Sequence, residues 1–361
     1  MLVSHTCRVW LCAENVACVR ARCRVVLVET SARVPTGAAS CFHVWGCVRK
    51  ELWPHQREAI AACALWHRRQ RSRVLAQFPM GTGKTEVACR VALDFLAARP
   101  FGRVLICVSS LAILGQFHRR LSALTRLQIG IEQAQRHAGK ERLVVASVSS
   151  LRGRLDKYPA QTLLILDEAH HANDDALATL ETAKHFDHVL SLTASPWSDG
   201  VVEQLGSSER LFLGYSDAAS KGMCAQYQIL QWAQPSGPFG LVFCKSNAAA
   251  KAAAAALPGA SWVGIDSGEV STRLARWRTA QLSILCANRM LWEGFDEPRC
   301  AGVWLDRDTH SEIALVQMAG RALRAFPGKA ARIYCRTPEQ QLRLALAMMR
   351  LELPPGVSPR R

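Results

Sequence analysis

Acidic side chains are scarce in this sequence: 29 Asp plus Glu stand against 45 Lys plus Arg, a formal net charge of +16. The imbalance points to a polyanionic partner, nucleic acid before membrane, because no lipid-facing amphipathic helix stands out. Apolar runs of membrane-spanning length are missing as well, which argues against an integral membrane protein. The N-terminus has no clean signal peptide, since Arg8, Glu14, Arg20, Arg22 and Arg24 interrupt every apolar region there. An intracellular location, cytoplasm or nucleus, is therefore expected. Cys-x-x-Cys pairs are lacking too, although the chain has 14 cysteines. Cys7, Cys12, Cys18, Cys23, Cys41 and Cys47 all precede residue 50, with spacings that do not favour a zinc site. A disulfide framework is not expected either, given the intracellular location. Cys107, Cys244, Cys286 and Cys335 sit inside apolar runs and read as small buried hydrophobes.

What is present suits a soluble globular protein: 361 residues, 49% hydrophobic and 20% charged, enough for two cores. Residues 1–50 hold short Val-rich pieces (Val25 to Val28) and scattered arginines without a period. An added module, a pairing strand and an extended arm all stay open for them.

The most informative stretch is QFPMGTGKT, Gln77 to Thr85. Apolar Val74, Leu75 and Ala76 lead into a glycine-rich turn, and a helix-patterned segment follows it. Strand, turn and helix in that order are what a phosphate-cradling loop needs. Glycines let backbone N–H groups converge on phosphate oxygens, and the helix N-terminus adds a favourable dipole. Met80, Gly81, Thr82, Gly83, Lys84 and Thr85 are thus candidate nucleotide contacts, with Phe78 standing at the pattern's first glycine. Lys84 would reach the β- and γ-phosphates and the Thr85 hydroxyl would hold Mg²⁺. Upstream, Leu52-Trp53-Pro54-His55-Gln56 precedes a helix on which Ile60, Ala61, Ala64 and Leu65 recur. An amide placed there can pair with an adenine edge, accepting from N6 and donating to N7, which makes Gln56 a candidate.

Beyond the loop, apolar strands alternate with helices: RVLICV (Arg103 to Val108), LVVAS (Leu143 to Ser147), LLIL (Leu163 to Leu166) and Val189 to Leu192. That alternation predicts a parallel sheet with ligand groups at the strand C-terminal ends. One of these strands runs straight into Asp167-Glu168-Ala169-His170. Two adjacent carboxylates at a buried strand end are costly unless they hold a cation or accept protons. Asp167 toward Mg²⁺ and Glu168 on the attacking water are the natural roles. Thr193-Ala194-Ser195-Pro196 then offers short hydroxyls beside the same site.

From Leu52 to about Cys335 this order of motifs resembles a superfamily 2 helicase or translocase of the DEAH-lettered kind. It is similar to the motor subunits of restriction enzymes and to related DNA-repair helicases. The resemblance implies an α/β fold of two tandem RecA-like domains with an ATP cleft between them. It assigns Gln56 to the adenine-sensing motif, Gly81 to Thr85 to motif I and Asp167 to His170 to motif II. Thr193 to Ser195 corresponds to motif III, and Ser109 and Ser110 stand where motif Ia lies, with Trp53 where relatives often carry arginine.

A second lobe is then expected, and the sequence supplies its parts. Ser216 to Met223 resembles the segment leading out of the first lobe, and Pro235-Ser236-Gly237-Pro238 reads as a linker. GLVFC (Gly240 to Cys244), Trp262 to Ile265 and Ser283 to Ala287 read as strands, with an alanine-rich helix from Asn247 to Leu257. Glu293 to Pro298 resembles motif V, in which Gly294 would approach a phosphate and Asp296 the ribose or the opposite lobe. Gln317 to Arg324 matches motif VI. Gln317, Arg321 and Arg324 are therefore candidates, the two arginines on one helical face and acting as fingers on the γ-phosphate. Leu342, Leu346 and Met349 recur at helical spacing and predict a last helix packed on the second lobe, before a basic tip, Arg360 and Arg361.

The expected organisation is an extension (1–50), a first lobe (51–215), a linker (216–238), a second lobe (239–340) and a C-terminal helix with its tail (341–361). The expected activity is ATP- and Mg²⁺-dependent stepping along a phosphate backbone, DNA before RNA. No nuclease motif or strand-separating pin is visible, so a protein partner supplying nuclease or specificity function is a further expectation. A non-hydrolysing sensor subunit is the alternative. A single-lobe P-loop kinase would leave the whole second half unexplained.

Overall fold

The computed structural model describes residues 51–151, 154–170, 183–195, 209–292 and 295–354. The expectations for residues 1–50, with their six cysteines, and for Arg360 and Arg361 fall outside these. Trp53–Arg361 pack as one compact unit, and it contains two parallel sheets.

The first half runs α1 (Pro54–Trp66), β1 (Ser72–Gln77), α2 (Lys84–Ala98), β2 (Val104–Val108), α3 (Leu111–Leu124), β3 (Ile129–Glu132), β4 (Leu143–Ser147), β5 (Leu163–Asp167), β6 (His188–Thr193) and β7 (Glu209–Phe212). Its strands lie in the order β3-β4-β2-β5-β6-β1-β7, every neighbouring pair parallel. β2, β4 and the apolar part of β5 are buried throughout, which is why they read as unbroken hydrophobic runs rather than alternating ones. Each Val, Leu or Ile so enclosed contributes roughly 1.5–3 kcal/mol over an exposed one. The register places Thr193 opposite Gln77 and Leu192 opposite Asp167. Strand β6 thus lies between the strand that feeds the glycine turn and the strand that ends in the two carboxylates, and all three terminate at one edge.

The second half runs α4 (Tyr215–Ser220), β8 (Tyr227–Gln231), β9 (Gly240–Cys244), α5 (Asn247–Ala256), β10 (Ala260–Val263), α6 (Val270–Arg278), β11 (Ile284–Ala287), β12 (Gly302–Asp306), α7 (Glu312–Ala319), β13 (Ala331–Cys335) and α8 (Pro338–Arg350). The strand order is β10-β11-β9-β12-β13-β8, again all parallel. Hydroxyls of Ser110, Ser246, Ser311 and Thr337 accept from the third backbone N–H beyond them and cap α3, α5, α7 and α8.

Two sequence expectations are corrected here. Residues 216–238 are not a plain linker: they contain α4 and then β8, which pairs with β13 at the edge of the second sheet. An edge strand with alternating partial exposure carries a weaker apolar signal than a central one. The last helix forms, but Leu342, Leu346 and Met349 are exposed (62%, 47% and 63%). Gln340, Leu344, Ala347 and Met348 make its packed face instead. Apolar residues occur on more than one side of that helix, so spacing alone could not choose between stripes. The cysteines behave as expected: Cys107, Cys244, Cys286 and Cys335 are buried and free, and burial pushes the Cys244 and Cys335 thiols up to about 12.

At the opposite edge of the first sheet, His67 and His188 are buried with ring centroids 5.7 Å apart. Burial, then His188 and Arg99, hold His67 down at about 3; burial and Arg99 hold His188 at about 4. Between pH 6.5 and 4 the unfolded chain binds protons that the folded chain refuses. Stability is therefore full above pH 6.5 and falls on acidification, by about 1.4 kcal/mol per histidine at pH 5.5. Urea unfolding at pH 7.5 and 5.5 checks this, and His67→Phe should remove roughly half of the difference. An equal shift in the variant would mean that another group titrates.

Candidate nucleotide site between the sheets

The glycine turn follows β1 directly. Gly81 and Gly83 have φ of +86° and +85°, a region that side-chain-bearing residues rarely adopt, and Gly83 caps α2. The turn is held internally: Phe78 N donates to Thr193 O (3.0 Å), and the Thr82 hydroxyl donates to Pro79 O (2.7 Å). Lys84 opens α2 as a buried residue, and its Nζ folds back to donate to Phe78 O at 3.3 Å. The lysine ammonium therefore lies over the loop that its own helix closes.

Gln56 is buried and reaches the same turn from α1. Its Nε2 donates to Thr82 O (3.0 Å) and its Oε1 accepts from Trp53 N (2.9 Å). An amide offers two donors and two acceptor positions, so one of each stays available for an adenine edge after these bonds. A β-carbon at Gly83 would collide with Gln56 Nε2, which explains the glycine there. His55, one residue earlier, also contacts Thr82 O through Nε2 (3.0 Å). Reading the sequence for amides alone passed over it.

Asp167 ends β5, and Glu168 follows with φ of +52°, a strained setting for a non-glycine residue. Glu168 Oε2 lies 3.3 Å from His170 Nδ1, and that nitrogen also meets the Thr193 hydroxyl at 3.1 Å. Ser195 N donates to the same hydroxyl (3.0 Å). On its other side, His170 Nε2 is 3.4 Å from Gln317 Nε2 of α7. His170 thus joins the β5 and β6 ends to the second sheet. The tetrad drew attention to its carboxylates, and the bridging role of its histidine was not legible.

Arg324 approaches the turn from the second half of the chain. Its Cγ is 3.3 Å from where a β-carbon on Gly81 would stand. Residues 224 and 324 form an antiparallel bridge, Ala225 N donates to Leu323 O (2.8 Å), and the Cys224 thiol donates to Met80 O (3.4 Å). A β-carbon at Gly320 would collide with Met80, so that glycine allows the two halves to approach. Burial lowers Arg324 to about 10, with Glu168 opposing the shift, and the guanidinium pairs with Asp296.

The expectation that Arg321 and Arg324 share a helical face is corrected. Helix α7 stops at Ala319, Gly320 caps it, and the chain turns before Arg324 enters its bridge with Cys224. Buried Arg321 donates to Phe295 O (2.6 Å) and Gln317 O (3.3 Å) within its own half. Gly294 lies outside the described residues. Asp296 is 63% exposed and pairs with Arg324 rather than with the opposite half.

The donor set suits a nucleoside triphosphate with Mg²⁺. A turn of left-handed glycines presents backbone to an anion, and Lys84 and Arg324 flank it with positive charge. The Thr85 hydroxyl and the Asp167 carboxylate are hard oxygen ligands of the type Mg²⁺ takes.

Residues 49–198 match the family described as "Type III restriction enzyme, res subunit" (ResIII). No curated protein matches the chain by sequence. Among solved structures, the ATP-dependent Type ISP restriction-modification enzyme LlaBIII bound to DNA superposes with a TM-score of 0.66 at 15% identity. The match covers 83% of this chain and 30% of that one, so the chain spans under a third of LlaBIII. S. cerevisiae Dbp5 bound to RNA and ADP BeF3 gives 0.61 at 14% identity, covering 83% and 91%. A fragment of a putative HsdR subunit of a type I restriction enzyme from Vibrio vulnificus YJ016 gives 0.60 at 19%, covering 81% and 65%. At such identities the likeness shows the fold, two tandem RecA-like domains.

Proposed function

We propose that the chain, whose residues 49–198 match the ResIII family, is an ATP-driven motor of the superfamily 2 helicase kind that steps along a nucleic-acid backbone. The observation that carries this reading is the approach of Arg324 to Gly81, with the glycine turn on one parallel sheet and the arginine contributed by the other. We assign Gln56 to the adenine, Met80 to Lys84 to the phosphates, and Thr85 with Asp167 to Mg²⁺. The metal would neutralise phosphate charge as the terminal phosphoryl leaves. Glu168 takes the proton of the attacking water, whose oxygen bonds to the γ-phosphorus as the β–γ bridging P–O bond breaks. Arg324 stabilises the charge that develops there. Gln317 and Arg321 hold the arm that carries it, through His170 and Phe295 O respectively.

Lobes of about 51–215 and 239–340 account for the two sheets, with β8 added to the second. Contacts across the cleft made or broken with the nucleotide state become alternating grip on a strand. DNA is favoured over RNA through the resemblance of Leu52 to Gln56 and Glu293 to Pro298 to DNA motors. LlaBIII was solved with DNA and Dbp5 with RNA, so the neighbours supply both. A protein partner bearing nuclease or specificity functions fits the restriction motors among them. ATP turnover compared with single- and double-stranded DNA and RNA at low salt tests the reading. Stimulation by one of them at least tenfold is expected, whereas turnover indifferent to all four would favour an ATP-holding subunit.

A further inference from the structure

All strands of the second sheet end at one edge, and a basic cluster stands there outside the nucleotide site. Arg289 follows β11 after Asn288, and Arg307 follows β12 directly. Both guanidinia meet the Trp292 ring, with Arg307 Cζ 4.6 Å and Arg289 Cζ 5.8 Å from its centroid. Asn288 Oδ1 accepts from Arg307 Nη1 at 2.9 Å and fixes that side chain.

Among the described residues the cluster has no counter-charge. The carboxylates flanking Arg307 in sequence are both taken, Asp306 by Arg336 (2.7 Å) and Asp308 by Arg343 (2.8 Å). Among the described residues no carboxylate pairs with Arg289 or Arg307. Two buried donors in the cluster, Arg307 Nε and Trp292 Nε1, have no acceptor among the described residues. Burial, and then the charge of Arg289, lower the Arg307 pKa, so the folded chain holds two like charges close together at a cost. A surface built in this way is completed by an anion that accepts hydrogen bonds, and a shared indole keeps both cations beside one ring.

We propose that Arg289 and Arg307, which share contact with the Trp292 ring, clamp a backbone phosphodiester of the bound strand on the second sheet. The assignment rests on the nucleic-acid reading above and adds to it the residues that grip on this side. Guanidinium contacts to phosphate position the strand without reading its bases, so the clamp contributes affinity and salt dependence but no sequence preference.

The test is the binding of a fluorescent single-stranded oligonucleotide, followed by anisotropy from 25 to about 200 mM KCl. Arg289→Ala and Arg307→Ala are each expected to weaken binding about tenfold and to reduce the slope of log K against log salt by roughly 0.7–0.9. ATP turnover without nucleic acid should not change. Arg289 is exposed, so its replacement keeps the test valid if the Arg307 variant folds poorly. Wild-type binding with an unaltered slope in the Arg289→Ala, Arg307→Ala double variant overturns the clamp and leaves the motor reading standing. No binding by the wild-type chain removes both. Inorganic phosphate protecting the wild type but not the double variant against thermal unfolding, with the oligonucleotide slope unchanged, would make this a free-anion site. Loss of binding only to acidic peptides would make it a protein contact, and either result overturns the clamp.

Discussion

Glu168→Gln is expected to lower nucleic-acid-stimulated ATP turnover by about 10²–10⁴ while leaving nucleotide affinity within a few-fold. Glutamine keeps the volume of the side chain and its position beside His170 Nδ1, but it cannot accept a proton from water. The backbone reinforces the choice of this residue. Glu168 is held at φ +52° between a buried strand and a tight turn, and such a conformation persists only where its surroundings enforce it. Single-turnover hydrolysis measured together with binding of a fluorescent ATP analogue separates the two quantities. Turnover within threefold of wild type would remove Glu168 as the base. Lost affinity would instead show that the substitution had disturbed Asp167 and the metal position.

Most of the first lobe was legible because its central strands are enclosed on both faces. VLICV, LVVAS and LLIL can hardly be anything but buried parallel strands, and the glycine turn between Gln77 and Lys84 has few other uses. The strands at and near the edges were harder. Glu209–Phe212 opens with two charged residues, Ile129–Glu132 is only four residues long, and Tyr227–Gln231 is partly exposed along its whole length. β12 is central yet went unread, because its apolar run is only three residues long between Gly302 and Asp306. That glycine makes room for Trp304, whose ring would meet any β-carbon there and which stacks on Tyr334 at 4.6 Å. The second strand order and the covering of β12 by long-range aromatic packing are tertiary facts, and no local period encodes them.

The residues of the candidate site could be named from the sequence, but not the connections between them. Lys84 was named from the glycine-turn pattern, Asp167 from its place at the end of a buried strand, and Gln317 from the family resemblance. That His170 would join Glu168, Thr193 and Gln317 depends on which strand lies between β1 and β5, a matter of topology. Cys224 gave no signal at all: a cysteine in an unremarkable segment became the residue that meets both Met80 O and the Arg324 backbone.

The same geometry separates the two arginines of the last motif, which sequence spacing treated as equals. Arg324 faces the glycine turn and Glu168, whereas Arg321 is buried on Phe295 O and Gln317. Arg324→Ala should therefore reduce kcat by about 10³, the usual contribution of an arginine acting on the transferred phosphoryl group. Its effect on thermal stability should be small, because removing Arg324 also relieves a guanidinium held against its solvation preference and leaves Asp296 largely in water. Arg321→Ala should do the reverse in emphasis. It leaves the Phe295 carbonyl without its donor inside the lobe, at a cost of about 1–3 kcal/mol, and lowers the melting temperature before it alters chemistry. Arg324→Lys distinguishes charge from shape: a lysine keeps the charge but not the planar fork, so it should recover only a small part of the lost rate. Equal losses of kcat in Arg321→Ala and Arg324→Ala, with equal melting temperatures, would mean that both guanidinia reach the phosphate and that the contact with Phe295 is released when nucleotide binds.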